Sequence, residues 1–230
     1  MFNEKRIYWQ TGMIRKLIKT KDGSNSFYIE ELNETYHSIF GAITESKHVF
    51  INNGLLQCKN KNINILEVGF GTGLNALLTA FEAEKNKLNI FYQTLEAYPL
   101  SKAEYNQLNY SDMLNKSNNI FKNLHECRWE ESNIINQNFK FKKNKIKIQE
   151  FKSNKKFDII YFDAFAPEKQ SDIWKENIFI LLKNLLNTKG FLVTYCAKGS
   201  IKRLLKKVGF EVKTVKGPPG KREMIMAIQK

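Results

Sequence analysis

Apolar and polar positions alternate in short blocks along the chain, and block length predicts the elements. Residues 14–28 read as a hairpin: Ile14, Leu17 and Ile18 lead into the turn Lys21-Asp22-Gly23-Ser24, and Phe27-Tyr28-Ile29 returns. Residues 34–40 and 45–52 read as short helices joined through Gly41. Strand and helix patterns then alternate. Strands are expected over 63–68, 90–95, 157–162 and 191–195, and helices over 74–85, 101–108, 173–186 and 201–208. The run 157–162 is continuously apolar, as in a strand covered on both faces. Residues 145–151 alternate charged and apolar, as a half-covered strand would. Residues 115–138 carry no clear period and read as irregular, anchored by Phe121, Leu124 and Trp129. Thr188-Lys189-Gly190 reads as a helix cap. The turn Gly217-Pro218-Pro219-Gly220, between 210–215 and 224–228, reads as a closing hairpin.

Strand–helix alternation ending in a hairpin predicts an α/β fold: a doubly wound, mostly parallel sheet with a C-terminal antiparallel hairpin. That hairpin is foreign to dinucleotide-binding folds and typical of the class I, Rossmann-like methyltransferase sheet. Residues 1–60 are expected to form a small N-terminal cap and 61–230 the Rossmann-like domain. A chain of 230 residues suits one such domain with an extension.

Chemistry enters where the first long strand meets its helix. Ile65-Leu66-Glu67-Val68-Gly69-Phe70-Gly71-Thr72-Gly73-Leu74-Asn75 is an apolar strand, three alternating glycines and a helix start. Glycine lets a ligand approach the main chain, and the helix N-terminus offers unpaired N–H groups. Gly71 to Ala76 also fits the G-x-G-x-x-A dinucleotide fingerprint. Two features favour S-adenosylmethionine instead: Glu67 two residues before Gly69, and the lack of a second mononucleotide half. Glu96, at the end of the next strand, is placed to hold ribose hydroxyls; the bland alternative is a solvated strand end.

The second constellation is Tyr161-Phe162-Asp163-Ala164-Phe165-Ala166-Pro167. Asp163 falls at the carboxyl end of a strand, where open α/β sheets bind ligands. Base-amine methyltransferases commonly carry Asn/Asp-Pro-Pro-aromatic here. The different spacing suits an alkyl amine, whose free pKa resembles that of lysine at roughly 10. A carboxylate can bind such an ammonium, orient it and accept or relay its proton. Phe165 and Pro167 would wall the pocket. The bland reading of Asp163 is an N-cap or loop hydrogen bond.

Charge adds a partner. The chain carries 37 Lys+Arg against 23 Asp+Glu, a formal net charge of +14, which favours nucleic acid; codon bias in a Lys/Asn/Ile-rich chain is the alternative. Lys198, with Lys202, Arg203, Lys206 and Lys207, reads as a phosphate-gripping group or, equally, as a solvated helix face. Cys58, Cys127 and Cys196 are scattered, and His37, His48 and His125 lack metal spacing, so neither zinc nor a disulfide framework is expected. Cys196 reads as a packed thiol rather than a nucleophile. No run approaches a membrane span, and the first twelve residues lack a signal-peptide core; a cytoplasmic protein is expected.

With these residues in place, the chain resembles the tRNA 5-methylaminomethyl-2-thiouridine methyltransferase family, the methyltransferase half of the bifunctional MnmC proteins that also exists as a stand-alone type. The resemblance spans nearly the whole chain. It rests on Tyr36-His37-Ser38, the run Gly41 to Phe50, Gly69 to Asn75, Asp163 to Lys169 followed by Asp172-Ile173-Trp174, and Gly220 to Met224. It implies methylation of the aminomethyl group on the tRNA wobble uridine, with Asp163 catalytic. It places Gly69, Gly71, Gly73 and Glu96 at S-adenosylmethionine, and Glu67 and Asn75 of the same run are expected to bind the cofactor with them. Where many members carry Gly-Asp, this chain reads Gln149-Glu150-Phe151-Lys152, and Glu150 is the expected substitute in the adenine contact. Tyr36, Glu45, Phe165, Pro167 and Lys198 are the expected substrate-side residues. The FAD-dependent oxidase module of the bifunctional form has no counterpart within 230 residues, so this chain is not expected to remove a carboxymethyl group. Two other readings stand: an aminopropyltransferase of the spermidine synthase kind, which also activates an amine, and a non-catalytic tRNA-binding subunit.

Overall fold

The computed structural model describes residues 14–230. The expectation of no export signal at the N-terminus concerns residues outside that range. Eleven strands form two sheets among the described residues. Strands β1 (Arg15–Lys19), β2 (Asn25–Ile29) and β3 (Glu34–Thr35) make a small antiparallel sheet. The large sheet holds β4 (Asn62–Val68), β5 (Asn89–Leu95), β6 (Ser132–Asn136), β7 (Phe139–Asn144), β8 (Phe157–Phe162), β9 (Leu186–Thr194), β10 (Phe210–Lys216) and β11 (Glu223–Gln229). Its order is β10-β11-β9-β8-β4-β5-β7-β6. The five strands β9, β8, β4, β5 and β7 run parallel, and antiparallel strands close both edges. This is the doubly wound class expected, with its C-terminal hairpin. Strand β4 pairs with both β5 and β8, so the strand order reverses there, and the carboxyl ends of these strands define the ligand crevice.

Two apolar clusters cover the sheet. On one face lie helix α1 (Ala42–Ser46, running on as π-helical turns over Lys47–Asn52), α2 (Leu74–Asn86), short helices α3 (Lys102–Tyr105) and α4 (Tyr110–Met113), and α5 (Asn119–Glu126). On the other lie α6 (Glu176–Leu185) and α7 (Gly199–Val208). Phe27, Ala42, Val49 and Phe50 of the N-terminal cap share one cluster with Ile63, Ile65 and Leu77. The cap is thus fixed to the sheet by shared burial. No helix among the described residues is long and apolar enough to cross a membrane.

Four local expectations are corrected. Residues 34–40 are not helical. Glu34–Thr35 adds a strand to β2, and side chains then hold an irregular run: Thr35 Oγ1 donates to the His37 carbonyl and the Phe40 N–H to Ser38 Oγ. Such local bonds compete with helix. Residues 115–138 contain α5 and β6. The anchors Phe121 and Leu124 do bury, and their spacing of three supports one amphipathic helix. Residues 145–151 are not a strand; the strand ends at Asn144. Phe139, Phe141 and Lys143 point inward, and the buried lysine disguised the alternation. Lys143 Nζ is satisfied by the Leu124 carbonyl at 3.1 Å and by that of His125, the carbonyls closing α5. Finally, Thr188–Gly190 does not cap α6. It lies within β9, where the register with β8 shifts and Lys189 takes φ +64°.

Candidate active site

The crevice is first built from backbone. At the end of β4 the Gly69 N–H donates to the Leu95 carbonyl, and the Asp163 N–H donates to the Val68 carbonyl, both at 3.0 Å. Gly69 has φ +95°, and a Cβ there would lie 2.3 Å from the Asp163 carbonyl oxygen. Gly71 has φ +51°, and its Cβ would press the Tyr36 ring at 3.2 Å. Glycine is therefore required at position 69 by both conformation and space, and favoured at position 71 by its positive φ. The Gly71 N–H donates to Glu96 Oε2 at 2.8 Å and the Tyr98 N–H to Glu96 Oε1 at 2.7 Å. These bonds fix the carboxylate at the end of β5 and leave lone pairs on both oxygens. Gly73 sits at the N-cap of α2, behind the crevice wall.

Below the glycine turn lies a carboxyl–amide–carboxyl chain. Asn75 Nδ2 donates to Asp163 Oδ2 at 2.8 Å and to Glu67 Oε1 at 3.1 Å, and Thr94 Oγ1 donates to Glu67 Oε2 at 2.7 Å. Glu67 is fully buried and lies under the crevice rather than in its wall. Burial pushes its pKa up to about 8 against the opposing Thr94 and Asn75 bonds. Asp163 is recessed but reaches the crevice. Burial raises its pKa to about 7, Asn75 opposes, Glu45 adds to the rise and Lys221 opposes it. Asn75 Oδ1 is buried without a hydrogen-bond partner, leaving an acceptor in a crevice residue.

The opposite wall comes from the cap and the C-terminal hairpin. Asp22, in the β1–β2 turn, accepts from the Thr44 N–H at 2.9 Å and from Thr44 Oγ1, pinning the start of α1. These bonds, with those from Thr20 and Ser24, offset burial and bring Asp22 down to about 2. One turn on, Glu45 Oε2 accepts from the Ser38 N–H at 2.7 Å, and Oε1 accepts from Lys221 Nζ at 2.6 Å. Lys221 Nζ also lies 3.8 Å from the Tyr195 ring centroid. Tyr36 stacks edge-on with Phe165 at 5.1 Å, and its hydroxyl accepts from Arg15 Nε at 2.9 Å. Tyr195 Oη donates to the Ala164 carbonyl and Trp174 Nε1 to that of Phe165, both at 2.8 Å, which holds the Asp163–Pro167 loop.

These groups enclose a cleft of about 1960 Å³. Small-ligand sites span ~300–1,000 Å³, so a cofactor leaves room for part of a large substrate. Tyr36, Glu45, Gly69, Gly71, Asn75, Glu96, Asp163, Phe165, Pro167 and Lys198 all line it. Glu150 does not. In the 3-10 turn Ile148–Glu150, Ile148 and Gln149 face the cleft while Glu150 lines a separate shallow depression. Side chains in such a turn step round by a third of a circle, which separates neighbours. Lys198 stands at the rim, ion-paired with Glu168. Lys202 and Lys207 pair with Glu223 and Glu176 at 2.6 Å, so those two lysines already have protein partners. Cys196 is buried, and burial raises its thiol pKa, as for a packed thiol. Sequence reasoning did not select Lys221, Tyr195, Ser38 or Gln149. Lys221 lies in the Gly220 to Met224 run that carries the resemblance, but no local pattern links it to Glu45, 176 residues away.

The donor set fits S-adenosylmethionine. Glu96 offers a fixed carboxylate for a diol, Leu95 and Ile148 offer an apolar slot, and Asn75 Oδ1 offers a free acceptor.

Comparison with known proteins agrees. Residues 110–230 match the model of a family described as S-adenosyl-L-methionine-dependent methyltransferase. The bifunctional tRNA 5-methylaminomethyl-2-thiouridine biosynthesis protein MnmC of Leptospira borgpetersenii is 29% identical over 85% of this chain and 32% of its own length. That of Burkholderia thailandensis is 27% identical over 84% of this chain and 32% of its own length. The chain thus spans about a third of the length of these curated relatives. The crystal structure of MnmC2 from Aquifex aeolicus superposes with a TM-score of 0.76 at 25% identity, covering 96% of this chain and 71% of that one. Spermidine synthase from Thermotoga maritima shares the fold alone, with a TM-score of 0.55 at 12% identity over 95% of this chain and 74% of its own. The chain belongs to the S-adenosyl-L-methionine-dependent methyltransferases.

Proposed function

We propose that this chain methylates the primary amine of 5-aminomethyl-2-thiouridine at the tRNA wobble position, giving 5-methylaminomethyl-2-thiouridine. The observation that carries this reading is Asp163: a recessed carboxylate at the end of β8, in the same cleft as Glu96 and the glycine turn. The names of the MnmC relatives support the substrate, and the charge of +14 supports a polyanionic one. The cofactor supplies an electrophilic methyl group on a sulfonium. Asp163 holds the substrate ammonium through a charge-assisted hydrogen bond and takes its proton. Asn75 keeps the carboxylate in one orientation. Phe165 and Tyr36 form an aromatic wall against which a nucleobase can stack. Lys198 at the rim can approach a phosphate once released from Glu168.

The test is transfer of tritium from methyl-labelled cofactor into tRNA lacking the final methyl group, followed by nucleoside analysis. Label in 5-methylaminomethyl-2-thiouridine is expected. Label in another nucleoside, or none in tRNA, rejects the reading.

A further inference from the structure

The Glu45–Lys221 pair has the make-up of an alkylammonium site that is already filled. A carboxylate below and an aromatic face beside are what proteins use to hold an amine cation. Here the carboxylate is Glu45, the face is Tyr195, and the cation is the protein's own Lys221. Both halves are held in advance. Glu45 is fixed by the Ser38 N–H on one side. Lys221 is presented by a rigid turn: its N–H donates to the Pro218 carbonyl at 2.9 Å, and the Gly217 N–H donates to the Arg222 carbonyl at 3.1 Å. Gly220, with φ +84°, lies so close to Phe40 that a Cβ would meet the ring at 2.3 Å. The side chains of Glu45 and Lys221 are only 10% and 32% exposed, so this contact is better shielded than a surface ion pair.

The location gives the pair a consequence. Glu45 and Asp163 line the same cleft, and the charges of both Glu45 and Lys221 reach Asp163. Without Lys221, Glu45 would stand without its cation in the same cleft as Asp163, which suits a molecule with two ammonium groups. With Lys221 in place, Asp163 is left to a single ammonium. We propose that Lys221 is a specificity-determining residue: by occupying the Glu45–Tyr195 cage it denies a second ammonium its partner, so the cleft gives a diamine no advantage over a substrate with one amine. This rests on the reading that the cleft takes an amine at Asp163.

The experiment is calorimetric titration of 1,4-diaminobutane and of propylamine into the protein saturated with S-adenosylhomocysteine. Wild type is expected to bind the two amines within about twofold of one another. Lys221→Met should tighten 1,4-diaminobutane by roughly tenfold more than propylamine, because only the diamine can use the emptied cage and Asp163 together. Lys221→Arg, which keeps the cation, should behave as wild type. Adding Glu45→Gln to Lys221→Met should abolish the gain. Lys221→Gln gives the same comparison if the methionine variant melts early. Unchanged diamine affinity in a folded variant overturns the proposal, as does equal tightening of both amines or no binding of either. The tRNA labelling assay is separate, so loss of diamine selectivity and loss of the proposed reaction are read independently.

Discussion

The two ends of the cleft are built differently. The proposed cofactor end comes from adjacent strand ends and one short loop, and main-chain N–H groups orient the carboxylate proposed to serve it, Glu96. The proposed amine end comes from residues 45, 163, 195 and 221, brought together by the cap, the central sheet and the hairpin, and it is dominated by side-chain charge. A backbone-built site tolerates little change of shape. A charge-built site can be retuned one side chain at a time. The cofactor end therefore suits what a whole class of enzymes shares, and the amine end suits what one member selects.

The largest effect should come from breaking the amine end alone. Asp163→Ala is expected to lower kcat by about 10²–10⁴-fold, the range for a positioned proton acceptor. Cofactor affinity should stay within about twofold, because Glu96 and the glycine turn do not depend on the Asp163 carboxylate. Single-turnover kinetics with calorimetry on the same variant measures both. Unchanged turnover would remove Asp163 from the role. Next in size is the reverse case. Glu96→Ala should weaken cofactor binding by roughly 10–100-fold, as expected for hydrogen bonds to a charged group worth about 1.5–3 kcal/mol. Turnover at saturating cofactor should change far less. If kcat falls as much as affinity, the two ends are not separable in this way.

A smaller effect joins the two. Asn75 bridges Asp163 to Glu67, so it orients the amine end from beneath the cofactor end. In wild type the acid limb of kcat/KM should rise through about pH 7, where Asp163 ionises. Asn75→Ala removes a bond that stabilises the ionised form, so the limb should move to higher pH with a loss of roughly tenfold in kcat. A limb that stays in place would show that Asn75 serves only to fill space.

The same division explains what the sequence made legible. The cofactor end is local in sequence: an apolar strand, three glycines and an acidic residue one strand on carry its chemistry within about thirty residues. The parallel core was equally plain, because strands such as Phe157–Phe162 are continuous apolar runs. The amine end was half legible. The strand-end position of Asp163 is legible in the sequence, but Lys221 and Tyr195 meet each other and Glu45 only through tertiary contact. One strand is hidden because a polar side chain stands at an apolar position. Lys143 hid a strand because its ammonium is satisfied by the last carbonyls of α5. Glu150 is expected in the cleft from its place in the Gln149-Glu150 pair, and the turn that puts Gln149 there instead is a matter of backbone geometry.

The last prediction concerns Glu67, which neither end exposes, and it is read in stability rather than in turnover. Its pKa is about 8 in the folded chain against 4.5 for a free glutamate. Between those values the folded state keeps a proton that the unfolded state has released. Stability must therefore fall as pH rises through that window. Asp163 acts in the same direction between 3.8 and about 7. Glu67→Gln mimics the protonated side chain and still offers an acceptor to Asn75 or Thr94. Thermal melts should differ from wild type by less than about 1 kcal/mol at pH 5, where Glu67 is already neutral. By pH 8 the variant should have lost less stability than wild type. A variant whose melting falls with pH as steeply as wild type would mean that Glu67 is ionised in the fold. Asn75 would then be held between two charges, and the amine end would feel Glu67 directly.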